Sequence, residues 1–127
     1  FVFPYSQKVF DNLGKTGVPK IHFGVGTGEL LSLMSDVGAD VVGVDWRVPI
    51  DTARERIGSQ KAVQGNLDPS ILGGDWELIS KEVINILERN TGKPGHIFNL
   101  GHGVTPEVNP EVLKKIVDLV HNFRTNL

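Results

Sequence analysis

The sequence predicts an α/β protein whose strands run parallel, and three observations predict it. Short β-branched runs recur along the 127 residues; each is apolar on both alternating faces; and each is followed by turn residues and then by a helical pattern. A strand apolar on both faces must be covered on both, which is the condition of a strand inside a parallel sheet flanked by helices. Alternation of strand and helix in turn requires right-handed crossovers.

The elements follow in order. Ser6 to Leu13 opens the chain with a helical pattern that has no strand before it in this sequence. Lys20-Ile21-His22-Phe23 is the first strand. A helix then starts at Glu29-Leu30-Leu31-Ser32-Leu33-Met34 and closes at Gly38, since glycine readily takes the left-handed conformation that ends a helix. Val41 to Asp45 is the second strand, and Pro49 fits an early helical position before Ala53 to Ile57, with Gly58 as the stop. Ala62 to Asn66 is the third. The clearest helix runs from Trp76 to Asn90, with Leu78, Ile79, Val83, Ile84, Ile86 and Leu87 as its apolar stripe and Gly92 and Pro94 beyond it. His96 to Leu100 is the fourth strand. Asn109 caps a last helix, Pro110 to Phe123, predicted to turn Val112, Leu113, Ile116, Val117, Leu119 and Val120 inward. Four parallel strands can be flanked on both faces or can curl into half of an eight-stranded barrel, and the pattern leaves both open.

The bulk chemistry points to a small-molecule partner. Net charge is −2 with both signs dispersed, so there is no basic patch to attract nucleic acid or an anionic membrane. The sequence has no cysteine, which removes disulfides, zinc-thiolate sites and a thiol nucleophile. The histidines are not paired at helical i, i+4 spacing and no Gly-x-Ser-x-Gly elbow occurs, so neither a metal site nor a serine triad is expected. With no membrane-length apolar run and no secretory leader at Phe1 to Leu13, the cytosol is the expected compartment.

Two features carry functional readings. Gly24-Val25-Gly26-Thr27-Gly28-Glu29 is a glycine-rich turn between strand and helix, and about twenty residues on the next strand ends in Asp45. From Ile21 to Asp45 the sequence resembles the cofactor-binding start of class I methyltransferases that use S-adenosylmethionine. In that reading Asp45 holds a ribose, although His22 stands where those enzymes usually carry an acidic residue. The same glycines also suit an ordinary tight turn.

The second feature is the set of polar residues at strand ends: Asp45, Asn66, Asn99 and His102. In parallel α/β proteins that end of the sheet gathers ligand-binding groups, because strand ends are rigid and loops converge there. Asp45 and Asn66 each read as helix caps or loop braces. His102 is different, since Gly101 and Gly103 strip bulk from either side of an imidazole that can donate to a carboxylate or pass a proton. His22 and His96 read as structural and His121 as a solvated helix residue; Arg47 follows a strand end, where it could meet a carboxylate, and reads by preference as a surface residue.

A longer resemblance joins these pieces. Val41-Val42-Gly43-Val44-Asp45-Trp46, Gln64-Gly65-Asn66-Leu67-Asp68-Pro69, Phe98-Asn99-Leu100-Gly101-His102-Gly103-Val104, Pro106-Glu107 and Pro110-Glu111-Val112-Leu113 closely resemble, in order, the C-terminal part of the uroporphyrinogen decarboxylase family. The resemblance implies a partial TIM barrel, with residues 1–127 as the C-terminal half of one (βα)₈ domain. It also implies a cofactor-free, homodimeric enzyme that removes carbon dioxide from the four acetates of uroporphyrinogen, giving coproporphyrinogen for haem synthesis. His102 matches the family's active-site histidine, which contacts a substrate carboxylate. Gly101, Gly103, Asn99, Asn66 and Asp45 become its possible supports. The family's arginine-rich motif, its pyrrole-binding aspartate and its substrate-contacting tyrosine and serine lie upstream of the matched region, so this chain alone is expected to be inactive. A non-catalytic half-barrel that binds tetrapyrrole carboxylates is the remaining alternative.

Overall fold

The computed structural model describes residues 1–14 and 16–123. Helix α1 (Phe3–Leu13) leads into four strand-helix units: β1 (Ile21–Phe23) and α2 (Leu31–Asp36), β2 (Val41–Gly43) and α3 (Ile50–Ile57), β3 (Ala62–Leu67) and α4 (Trp76–Arg89), β4 (His96–Leu100) and α5 (Pro110–Asn122). All strand pairs are parallel, with Ile21 beside Val41, Val41 beside Ala62 and Val63 beside His96.

Strand order decides what the pattern left open. The sheet runs β1-β2-β3-β4 without reversal. Successive right-handed crossovers that always step the same way lay their helices on one face. Packing agrees: Val42, Val44, Val63 and Leu67 form one buried cluster with Leu31 and Met34 of α2, Ile50 of α3, Ile79 and Val83 of α4 and Ile116 of α5. On the other face Ile21, Phe23 and Ile97 remain 44–47% exposed. Each fully buried Leu or Ile of the cluster stabilises the fold by roughly 1.5–3 kcal/mol, so the helical face holds the sheet together. Helix α1 packs separately, through Phe10 and Phe3 against Val37 and Ala39.

The same order corrects the methyltransferase reading. A nucleotide-binding doubly wound sheet reverses direction to create the crevice at its switch point. Here β4 pairs with β3, not with β1, so no such crevice forms.

Local differences have local causes. Leu78 and Val117 are 54% and 49% exposed, so the buried stripes of α4 and α5 are narrower than predicted, because helices in the outer ring are covered on one side only. Pro49 precedes α3 with extended backbone instead of entering it. A short 3-10 turn, Pro69–Gly73, follows β3; Asp68 caps it by accepting from the Ser70 N–H at 2.9 Å. Asn109 caps α5 as expected, accepting from the Glu111 N–H at 3.0 Å.

Candidate active site at the carboxyl ends of the strands

Asp45 lies just past β2 and is only 3% exposed. Its carboxylate accepts from the Gly26 N–H, from the Arg47 N–H at 3.0 Å and from Arg47 Nη1 at 2.9 Å. Burial alone raises its pKa; these donors outweigh burial and hold the carboxyl below its ordinary value. The carboxylate that a ribose would need is therefore spent tying the loop after β1 to the loop after β2. Asn66 is also a brace: its Nδ2 donates to the Asp45 carbonyl at 2.9 Å and to the Val48 carbonyl at 2.6 Å. The preceding Gly65 must be glycine. Its φ is +145°, and a Cβ there would stand 2.6 Å from the Val44 carbonyl oxygen.

His102 is exposed at the end of β4. It lines a cleft of about 760 Å³ with Trp46, Arg47, Ser70, Thr105 and Val112. It also borders a hollow of about 430 Å³ on the helix-free face of the sheet, shared with Phe23, Gln64 and Asn99. The four strand-end groups thus do not converge on one mouth. His102 and Asn99 face open space, whereas Asp45 and Asn66 are buried behind them as braces. The two flanking glycines divide similarly. A Cβ on Gly101 would lie 2.5 Å from the Trp46 nitrogen, so that glycine makes room for a neighbouring backbone, whereas Gly103 has nothing within 4 Å and leaves room in the cleft.

The other histidines sit among protein groups. His22 Nδ1 is 3.4 Å from the Met34 carbonyl and its ring is 5.1 Å from that of Phe10. His96 donates from Nε2 to the Gly65 carbonyl at 2.9 Å; burial, reinforced by the Arg54 charge and only partly countered by that bond, lowers its pKa. His121 is exposed on α5. Among the described residues no group of three or more His, Cys, Asp or Glu side chains is placed to hold a metal.

Two residues of the cleft escaped sequence reasoning. Trp46 stands perpendicular to His102, with ring centroids 6.2 Å apart. Arg47 lies at the surface as expected, its side chain half exposed, and in addition pairs with buried Asp45 and stacks on Trp46 at 4.0 Å. An aromatic and a cation directly after a strand-terminal acid were the available signal.

Parallel strands in unreversed order, helices on one face and polar groups at the carboxyl ends define part of a (βα)₈ barrel. The chain belongs to the uroporphyrinogen decarboxylase family, whose sequence profile, described as "Uroporphyrinogen decarboxylase (URO-D)", matches residues 1–123. A protein of that name from Salinispora tropica is 58% identical over 123 residues, covering 97% of this chain and 33% of the relative. Those from Streptomyces coelicolor and Thermobifida fusca are 53% and 51% identical, each covering 98% of this chain and 35% of the relative. The chain therefore spans about a third of the length of the curated relatives it matches. A solved structure described as a methyltransferase from Methanosarcina mazei superposes with a TM-score of 0.81 at 23% identity, over 97% of this chain and 36% of that one. At that identity the likeness is one of fold. No described helix is long and apolar enough to cross a membrane.

Proposed function

We propose that this chain supplies one wall of the active site of a uroporphyrinogen decarboxylase, a cofactor-free carboxy-lyase that converts the four acetate side chains of uroporphyrinogen to methyl groups. The observation that carries this reading is 51–58% identity, across nearly the whole chain, to three proteins of that name. In this reading residues 1–127 form the C-terminal half of one barrel domain. The intact protein is a homodimer in the cytosol.

The chemistry sets the protein's task. A proton added to a pyrrole carbon makes the ring an electron sink; the bond to the carboxylate then breaks and carbon dioxide leaves, after which the exocyclic methylene takes up a proton to become the methyl group and the ring carbon gives its proton back. The enzyme must grip an anionic macrocycle and stabilise the transient cation. His102, exposed at the edge of a roomy cleft, suits the first role: its ring N–H donates to a substrate carboxylate and fixes which acetate is presented. Gly103 leaves space beside it for a flat, bulky ligand.

The test uses the longer polypeptide that carries this sequence. Incubated anaerobically with uroporphyrinogen, it should release carbon dioxide and form coproporphyrinogen. His102→Asn should reduce kcat/KM by about 10- to 100-fold, the loss of a charge-assisted contact and of precise substrate placement. An inert wild type would refute the reading, and saturable tetrapyrrole binding without turnover would favour a non-catalytic binding module.

A further inference from the structure

The loops after β2 and β4 meet ring against ring. A perpendicular aromatic pair with centroids 6.2 Å apart lies within the range where such pairs attract. His102 is exposed on a loop between glycines, so little bulk from its chain neighbours restricts its rotamers. The Trp46 indole is the ring it stands against. Trp46 in turn is half-buried and carries a cation on its ring: the Arg47 guanidinium lies 4.0 Å from its centre and is anchored by Nη1 on buried Asp45. The chain at Gly101 is also tied to the end of β3 and packed against the loop after β2. Gly101 donates its N–H to the Leu67 carbonyl at 2.7 Å, and its Cα faces the peptide that joins Asp45 to Trp46 so closely that no Cβ fits.

The order of groups is therefore buried carboxylate, guanidinium, indole, imidazole. We propose that Trp46 is a positioning residue for His102, itself held by the Arg47–Asp45 pair, so that the imidazole meets a substrate carboxylate already oriented. This rests on the decarboxylase reading and adds to it a residue that acts through the histidine. An error of a fraction of an ångström in a binding group is enough to cost rate, which gives such support a function.

A double-mutant cycle in the longer polypeptide separates positioning from simple packing. Trp46→Leu should lower kcat/KM for uroporphyrinogen about tenfold, and Trp46→Phe, which keeps an aromatic face, should recover most of the loss. In a His102→Asn background Trp46→Leu should add no further loss, because the group it orients is gone. An equal tenfold loss in both backgrounds, or wild-type kinetics for Trp46→Leu, overturns the inference while leaving the decarboxylase reading intact. A wild type without turnover overturns both. Should Trp46→Leu not fold, Arg47→Ala against Arg47→Lys in the same two backgrounds decides, with loss expected for alanine only where His102 is present.

Discussion

The side-chain amide of Asn66 donates to the main-chain carbonyl of Asp45 at 2.9 Å, joining the end of β3 to the loop after β2. A second donation to the Val48 carbonyl at 2.6 Å makes this one amide the staple of that loop. Asn66→Ala leaves two acceptors short of a partner in a buried setting. The expected cost is about 2 kcal/mol of stability, read from urea unfolding midpoints. A variant as stable as the wild type would show that the loop is held elsewhere.

The glycines on either side of His102 should separate cleanly. Gly101→Ala drives a Cβ to 2.5 Å from the Trp46 nitrogen and 3.1 Å from the Asp45 carbonyl carbon, both backbone atoms that cannot swing aside. A loss of about 2–4 kcal/mol is expected. Gly103→Ala meets nothing within 4 Å and should stay within about 0.5 kcal/mol of wild type. Thermal melting of the pair checks both; equal melting temperatures would contradict the packing described.

His96 should make stability fall in mildly acidic solution. Burial first, then the Arg54 charge, lowers its pKa in the folded state below the ordinary histidine value, against the opposing pull of the Gly65 carbonyl. A group whose folded value is depressed contributes stability that is complete above its unfolded value and is lost as pH falls through the folded one. The unfolding free energy should therefore begin to drop below about pH 6.5. His96→Gln keeps a donor for the Gly65 carbonyl but does not titrate, so its profile should be flatter there. An unchanged slope would assign the effect to other groups.

Asp45 governs the more acidic range. Burial raises its carboxyl, and the Gly26 and Arg47 donors more than offset this, so its folded value lies below 3.8. The resulting stability is whole above about pH 4 and disappears as pH falls through the folded value. Arg47→Ala removes the side-chain donor and the opposite charge, lifting the folded value. Acid unfolding followed by circular dichroism should accordingly begin at higher pH in this variant. The same onset in both proteins would mean that Arg47 does not hold the carboxylate.

Much of this was legible residue by residue. The β-branched runs ending at Phe23, near Asp45, near Asn66 and at Leu100 mark the four strands, because apolar burial and turn chemistry are local. Gly38, Gly58 and Gly92 take positive φ where a helix ends or a loop turns, and Asn109 caps α5, for the same reason. The structural roles of Asp45 and Asn66 were also suggested by residue type. Their partners were not: Asn66 finds Val48 across 18 positions, and Asp45 finds Gly26 across 19, separations that no local preference encodes. Arg47 is exposed, as expected of a residue following a strand end; what local sequence did not assign is its guanidinium lying against an indole while one end serves a buried carboxylate.

The sequence by itself determined the alternation of strand and helix, the helix caps and stops, and the placing of an imidazole between two glycines. Those outcomes depend on backbone preference and on which residues avoid water over a few turns. Only the tertiary structure decided that the sheet keeps one direction, that its helices lie on one face, and that Trp46 comes to rest against His102. These depend on strand order and on loops distant in the chain coming into register, where close approach at Gly101 and hydrogen bonds between strand ends select one arrangement among those the pattern permits.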